Sequence, residues 1–261
     1  MSLLKVFGRS LVLDIATDMA YKLNFVIKLI AVGLWDLIGP LLMLFIYQTT
    51  VGIPGWSFEQ ILLFVGTFNF VFGISRVFFI RLPGIVLYNL KEGLLDKFLV
   101  KPYNPLAYLT AIAVDPLGFA DMFVGLVVIV YALVKLNIVI FSWNFLLYLF
   151  LMIFGIMFLY SLIVLVASFA IIFIKSWALF DIFFNVLAFG RYPLSIYGTG
   201  FTFALTFLFP IAIVANFPVE ALLTGLSFLT ILKVTLPVLA FFMLSVTFWH
   251  FAIKKYSSAG G

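Results

Sequence analysis

Hydrophobic and polar positions divide this chain into long apolar runs with short polar interruptions. A bilayer-spanning helix needs about 20 apolar residues, and six runs meet or approach that length: 24–47, 60–80, 110–134, 144–173, 200–217 and 229–252. Before the first run the period changes. Leu4, Phe7, Leu11, Ile15 and Met19 recur at three- and four-residue steps, while Lys5, Arg9, Ser10, Asp14, Thr17 and Asp18 fall on other faces. One apolar stripe opposite a charged face predicts a helix over 2–21 lying in the headgroup plane or packed on a partner. Charges interrupt it throughout, so it does not read as a signal peptide.

Between the second and third runs lies a charged island, RLPGIVLYNLKEGLLDKFLVKPYNP, Arg81 to Pro105. Leu87, Leu90, Leu94, Phe98 and Val100 predict the apolar ridge of a helix, with Asn89, Lys91, Glu92, Asp96 and Lys97 on its polar side. Gly93 sits within that pattern, where glycine costs about 1 kcal/mol relative to alanine, so it reads as a bend or a close approach. The alternative is an amphipathic loop lying on the membrane.

Two further stretches depart from simple spans. Residues 176–199 are apolar but carry Asp181, Asn185 and Arg191, and read as an in-plane helix ending near Gly190 before a turn at Tyr192-Pro193; a seventh span is the competing reading. Residues 210–228 contain Pro210, Pro218 and Glu220. Broken backbone at membrane depth is tolerated only under protein or water, which predicts a re-entrant or interfacial helix on the outer face.

Composition supports the pattern. The chain has 261 residues, is 66% hydrophobic and 10% charged, and its mean hydropathy is +1.31. The fold class is therefore an all-α polytopic membrane protein, with residues 1–261 forming one transmembrane domain. The net charge of +5 reflects membrane-flanking residues rather than a nucleic-acid-binding stripe. Lys5, Arg9, Lys22, Arg76, Arg81, Lys91, Lys97, Lys101, Lys175, Arg191, Lys254 and Lys255 fall on one side of the six-span arrangement, and Lys135 and Lys233 on the other. The positive-inside rule then makes both termini cytoplasmic.

Candidate chemistry is sparse. Cysteine is absent and His250 is the only histidine, which removes thiol catalysis and His-rich metal sites. A phosphate-binding GxxxxGK[ST] loop is missing. Asp36, Asn69 and Asp121 lie within spans, where polar groups are costly; they either line a translocation path or hold helices together. Asp115 precedes Pro116 at the entry of the third span, and Lys28 and Arg76 can snorkel to the surface. Most of the five tryptophans fall near span ends, as an interfacial belt requires, Trp35 excepted. No two glycines are four residues apart, so the GxxxG association signal is lacking. The 34 phenylalanines suit lipid-facing filler or an aromatic cavity equally.

GLLDKFLVKPYNP, preceded by Glu92, resembles the cytoplasmic-loop signature of ABC-2 type exporter permeases, more narrowly a subfamily with the pattern carried here by Gly93, Leu95, Asp96, Leu99 and Pro102. Arg191-Tyr192-Pro193, the segment PIAIVANFPVEALLTG and the ending KKYSSAGG match further motifs in the same order. The resemblance implies a six-span permease with an amphipathic N-terminal helix, an outer re-entrant helix and a coupling helix that docks on a nucleotide-binding subunit through Glu92, Gly93, Leu95, Asp96 and Lys97. It also implies ATP and Mg on that separate subunit, no cofactor or enzymatic activity in this chain, a second permease subunit, identical or related, and residence in a prokaryotic cytoplasmic membrane. The implied cargo is a lipid, glycolipid, peptide or drug moved outward. An ion-coupled secondary transporter or channel is the alternative function, and a membrane-embedded enzyme a third.

Overall fold

The computed structural model describes residues 2–173 and 177–256. The helices are α1 (Leu3–Met19), α2 (Lys22–Thr49), α3 (Phe58–Phe78), α4 (Leu82–Lys91), α5 (Asp96–Leu99), α6 (Pro105–Ile112), α7 (Gly118–Lys135), α8 (Trp143–Ile172), α9 (Trp177–Ala188), α10 (Thr199–Phe203), α11 (Asn216–Thr224) and α12 (Phe228–Lys255). Five described segments are long and apolar enough to cross a membrane: α2, α3 with α4, α7, α8 and α12. Three of them match the predicted runs within a few residues, and the second, predicted for 60–80, continues through α4 to Lys91. The third begins later than predicted, because Pro116 and an Asp115 side chain that accepts the Leu117 N–H break the chain between α6 and α7.

Side-chain pairs set the directions of the helices. Tyr47 meets Phe58 and the Asp36 carbonyl meets Asn69, so α2 and α3 are antiparallel. Gly66 lies against Gly125 and Ile129, and Gly118 against Gly73 and Val77, so α3 and α7 are antiparallel too. Thr67 hydrogen-bonds Tyr148 and Phe79 packs on Tyr160, which makes α8 parallel to α3. Phe158 packs on Phe241 and Phe169 on Phe248, which makes α12 parallel to α8. The chain must therefore return across the bundle between α8 and α12, and the start of α2 and the end of α12 lie on the same face. That face also carries the α4–α6 turn and is called the tip end below.

The return is not the single helix predicted for 200–217. Its apolar helix covers only Thr199–Leu208, about 15 Å at 1.5 Å per residue, half of a ~30 Å hydrocarbon layer. Its last turn, Ala204–Leu208, is π-helical, and Pro210, lacking an N–H, ends it. A 3-10 turn, Ile211–Ile213, then leads into α11. As predicted, α11 is a short helix containing Glu220. It is buried against α8 and α3 rather than lying free on a surface. Gly155 of α8 admits this chain closely: a Cβ there would sit 3.0 Å from the Ile213 carbonyl oxygen.

The in-plane helix predicted for 176–199 is also corrected. α9 ends in a 3-10 turn, Phe189–Arg191, near the predicted Gly190. It does not lie across the end of the bundle. Phe184 and Leu187 share a crevice with Ser75, Ile80 and Leu159, and Gly190 abuts Phe68 and Ile211 halfway along α3. A 12-residue helix is also too short to be a seventh span. α9 and α10, with the irregular stretch between them, carry the chain back along the bundle from the end of α8. Lys175 and the Tyr-Ser-Ser ending beyond Tyr256 lie outside the described residues.

The tightest seam joins α3 and α7. Glycines spaced seven apart on each helix, Gly66 and Gly73 against Gly118 and Gly125, bring the two backbones together. A Cβ on Gly125 would lie 2.5 Å from the Phe70 nitrogen, and one on Gly73 2.6 Å from the Met122 nitrogen. α3 starts on a capping box in which Ser57 accepts the Gln60 N–H and the Gln60 side chain accepts the Ser57 N–H.

α1 packs beside α6 and the start of α2. Phe7 stacks on Phe78 at 5.2 Å and Asp14 pairs with Arg81 at 3.5 Å. The predicted stripe is only partly covered, because Leu4 and Met19 remain exposed.

Candidate functional site

The tip is built by helix termination. Gly93 has φ +64, a left-handed conformation that favours glycine. Its N–H reaches the Leu90 carbonyl, and the Leu94 N–H reaches the Asn89 carbonyl at 2.7 Å, the paired bonds of a Schellman stop. The predicted continuous helix is therefore two pieces, α4 and the one-turn α5. On the return, the Asn104 side chain accepts the Ala107 N–H and Pro105 opens α6.

That break changes which side chains face outward. Leu87, Leu90 and Phe98 are buried as predicted, but Leu94 and Val100 are exposed and Leu95 is fully buried. The predicted ridge is thus corrected at both Leu94 and Val100. Leu95, a predicted contact, has a side chain with 0% exposure that anchors the tip. Glu92 and Lys97 are exposed, while Gly93 and Asp96 are half-buried. Lys97 lies 4.9 Å from the centre of the Phe98 ring, and Lys101 donates to the Tyr108 hydroxyl at 2.6 Å. Beneath the tip, α4 runs along the final turns of α8, where Leu87 packs with Val166 and Ala170. The Arg81 guanidinium donates to the Val114 carbonyl at 2.8 Å, tying the two arms of the hairpin. The tip is therefore a folded hairpin braced against α8 and across its two arms.

A second polar site lies between α2, α3 and α7. Asp36, Asn69 and Asp121, singled out in the sequence, face the same cleft of about 320 Å³. Arg76 and Arg191 join them there. Arg76 does not snorkel outward; its Nε donates to Asp115 at 3.0 Å and its Nη1 to Asp121 at 3.1 Å. Asp121 is 2% exposed, so this pair is a helix-to-helix lock. Asp36 differs. Its backbone carbonyl accepts from the Asn69 amide at 3.3 Å, but its buried Oδ2 has no hydrogen-bond partner in the protein. Arg191, assigned by sequence to the cytoplasmic flank, instead sits halfway along α3 with its guanidinium 5.9 Å from the Phe68 ring centre. The roles of Arg76, Asp115 and Arg191 depend on contacts between distant parts of the chain, which no local pattern announces.

At the opposite end, the Asn216 side chain accepts the Leu194 N–H at 3.0 Å and its amide faces Glu220 at 3.5 Å. Burial pushes the Glu220 carboxyl above its usual range. Trp249, predicted to belong to an interfacial belt, is buried in the core instead. His250 is exposed and bonded to the Val246 carbonyl of its own helix.

Five helices long and apolar enough to cross a membrane, with charged groups turned inward between them, define a multi-pass α-helical membrane protein. Residues 34–260 match the family model described as ABC-2 family transporter protein, and the chain belongs to that family. It is accordingly the permease subunit of an ABC transporter. No curated protein and no solved structure gives a significant match.

Proposed function

We propose that this chain is the permease of an ATP-driven exporter, and that a separate ATPase subunit docks on the tip through Glu92, Gly93, Asp96 and Lys97, with Leu95 holding that surface in place. The observation that carries the proposal is the tip itself: a hairpin whose apolar residues Leu87, Leu95 and Phe98 are buried while Glu92, Leu94 and Lys97 face outward. ATP and Mg are bound on the partner, and this chain hydrolyses nothing by itself. Arg81, Lys91, Lys97, Lys101, Lys254 and Lys255 gather at the tip end, which supports a cytoplasmic tip and cytoplasmic termini in the cell membrane. Met43 is the one buried residue of α2, which supports a second permease, identical or related, against that helix. The cargo is a hydrophobic or amphipathic molecule moved outward.

The inward-facing acid–base cluster favours a second reading, an ion-coupled transporter that needs no ATPase. Affinity purification from the native membrane in mild detergent separates the two. Exporter function predicts an ATPase subunit in the eluate, lost from a Glu92→Lys, Asp96→Lys double variant that still elutes as the folded permease. A chain that purifies alone, with gradient-driven transport in proteoliposomes, would establish the ion-coupled reading instead.

A further inference from the structure

The charged cleft is the tip-ward half of a longer groove. A second cleft of about 170 Å³ shares Trp35, Asp36, Phe68, Asn69 and Arg191 with it. The first extends toward the tip end past Ala31, the second toward the opposite end past Met43. Twelve residues of α2 separate those limits, about 18 Å at 1.5 Å per residue. The groove is apolar toward Met43 and charged toward the tip end, where Arg76 and Asp121 line it, the shape of a site for an amphiphile.

Its charge decides which amphiphile. One guanidinium, Arg76, serves two carboxylates, Asp115 and Asp121. Asp36 adds a third carboxylate, in hydrogen-bond contact with that of Asp121, and Arg191 a second guanidinium; three carboxylates against two guanidinium groups leave an excess of one negative charge that a shared proton or a bound cation must balance. In a poorly solvated site such an excess favours uptake of a positive charge. Asp36 is where that charge is lacking, because its buried Oδ2 has no hydrogen-bond partner in the protein. Trp35, Phe68 and Phe72 line the same cleft, and ring faces attract organic cations that have shed water. Phe68 already holds one cation, the Arg191 guanidinium.

We infer that the groove binds a hydrophobic organic cation, with Asp36 as its counter-charge and the aromatic walls around its apolar body. The inference rests on the permease reading and narrows its cargo class.

Tetraphenylphosphonium and tetraphenylborate, matched in size and opposite in charge, provide the test. Equilibrium dialysis against the purified chain in zwitterionic-lipid nanodiscs, corrected for empty nanodiscs, should show saturable binding of the phosphonium and none of the borate. Asp36→Asn should weaken phosphonium binding at least tenfold, and Asn69→Asp, which adds a negative charge in the cleft, should tighten it. Equal phosphonium binding by wild type and Asp36→Asn would overturn the inference. So would saturable borate binding, which would make Arg191 the determining charge, or binding of neither ion, which would mean that a proton neutralises the cluster. If Asp36→Asn does not fold, the Asn69→Asp and borate results still decide. ATPase capture by the wild-type chain is scored separately, so failed probe binding with intact capture removes this inference and leaves the permease reading standing.

Discussion

Gly93 controls the tip through a single dihedral angle. At φ +64 an alanine is strained by about 1–2 kcal/mol, so Gly93→Ala should lower the thermal stability of the purified chain and loosen the tip. Gly84, inside α4 with nothing within 4 Å of its Cβ position, is the matched control. Gly84→Ala should gain about 0.5–1 kcal/mol, because helical glycine carries the larger entropy cost. A fall of equal size in both variants would mean that the left-handed turn is not what Gly93 provides. Arg76 is the other controlling residue. Arg76→Leu leaves the buried Asp121 and the half-buried Asp115 without their shared partner, a loss of about 3–5 kcal/mol. Adding Asp121→Asn should recover part of that loss in a denaturation series, whereas additive damage would show that the pair is not coupled. Neither role was fully legible in the sequence. Gly93 was visible as a bend, but its left-handed turn rephases the chain, so Leu95 rather than Leu94 becomes the anchor. The Arg76 partners lie 39 and 45 positions away, beyond any helical period.

Helix length and apolarity were readable because a bilayer imposes them; helix breaks were readable where proline imposes them. Pro210 was read as a break within a span running to 217, whereas the helix stops before it; the short helix with Glu220 inside was anticipated and is α11. The length of the return helix was misread because an apolar run does not reveal where a π turn and a 3-10 turn interrupt it. The seam between α3 and α7 was missed for a different reason. The glycines there are spaced seven apart, two helical turns, so the four-residue association signal is absent while the close approach is present. Gly125→Ala places a methyl group against the Phe70 backbone nitrogen and should cost about 1–3 kcal/mol by overpacking. Gly200→Ala, with open space around it, should cost nothing. Thermal shifts in detergent compare the two, and equal stability would show that α3 and α7 can slide apart without loss.

Across the whole molecule, the tip and the charged cleft share one rod. α3 carries Asn69 and Arg76 in the cleft, and α4 extends past them to Gly93. The hairpin returns through α6 and α7, which brings Asp115 and Asp121 back to Arg76. The same two arms thus carry both the tip and the cleft, and α1 is tied to their neck through Asp14 and Arg81. Family membership could be anticipated from Gly93, Leu95, Asp96, Leu99 and Pro102, but the connection between the two sites required the helix directions. The absence of cysteine makes the docking claim directly testable, since any introduced thiol is unique. Photo-crosslinkers attached to single Glu92→Cys, Leu94→Cys or Lys97→Cys variants should capture an ATPase subunit in native membranes, while Val51→Cys and Phe141→Cys at the opposite end should not. Capture from Val51→Cys or Phe141→Cys, or none from all three tip positions in folded protein, would contradict the account.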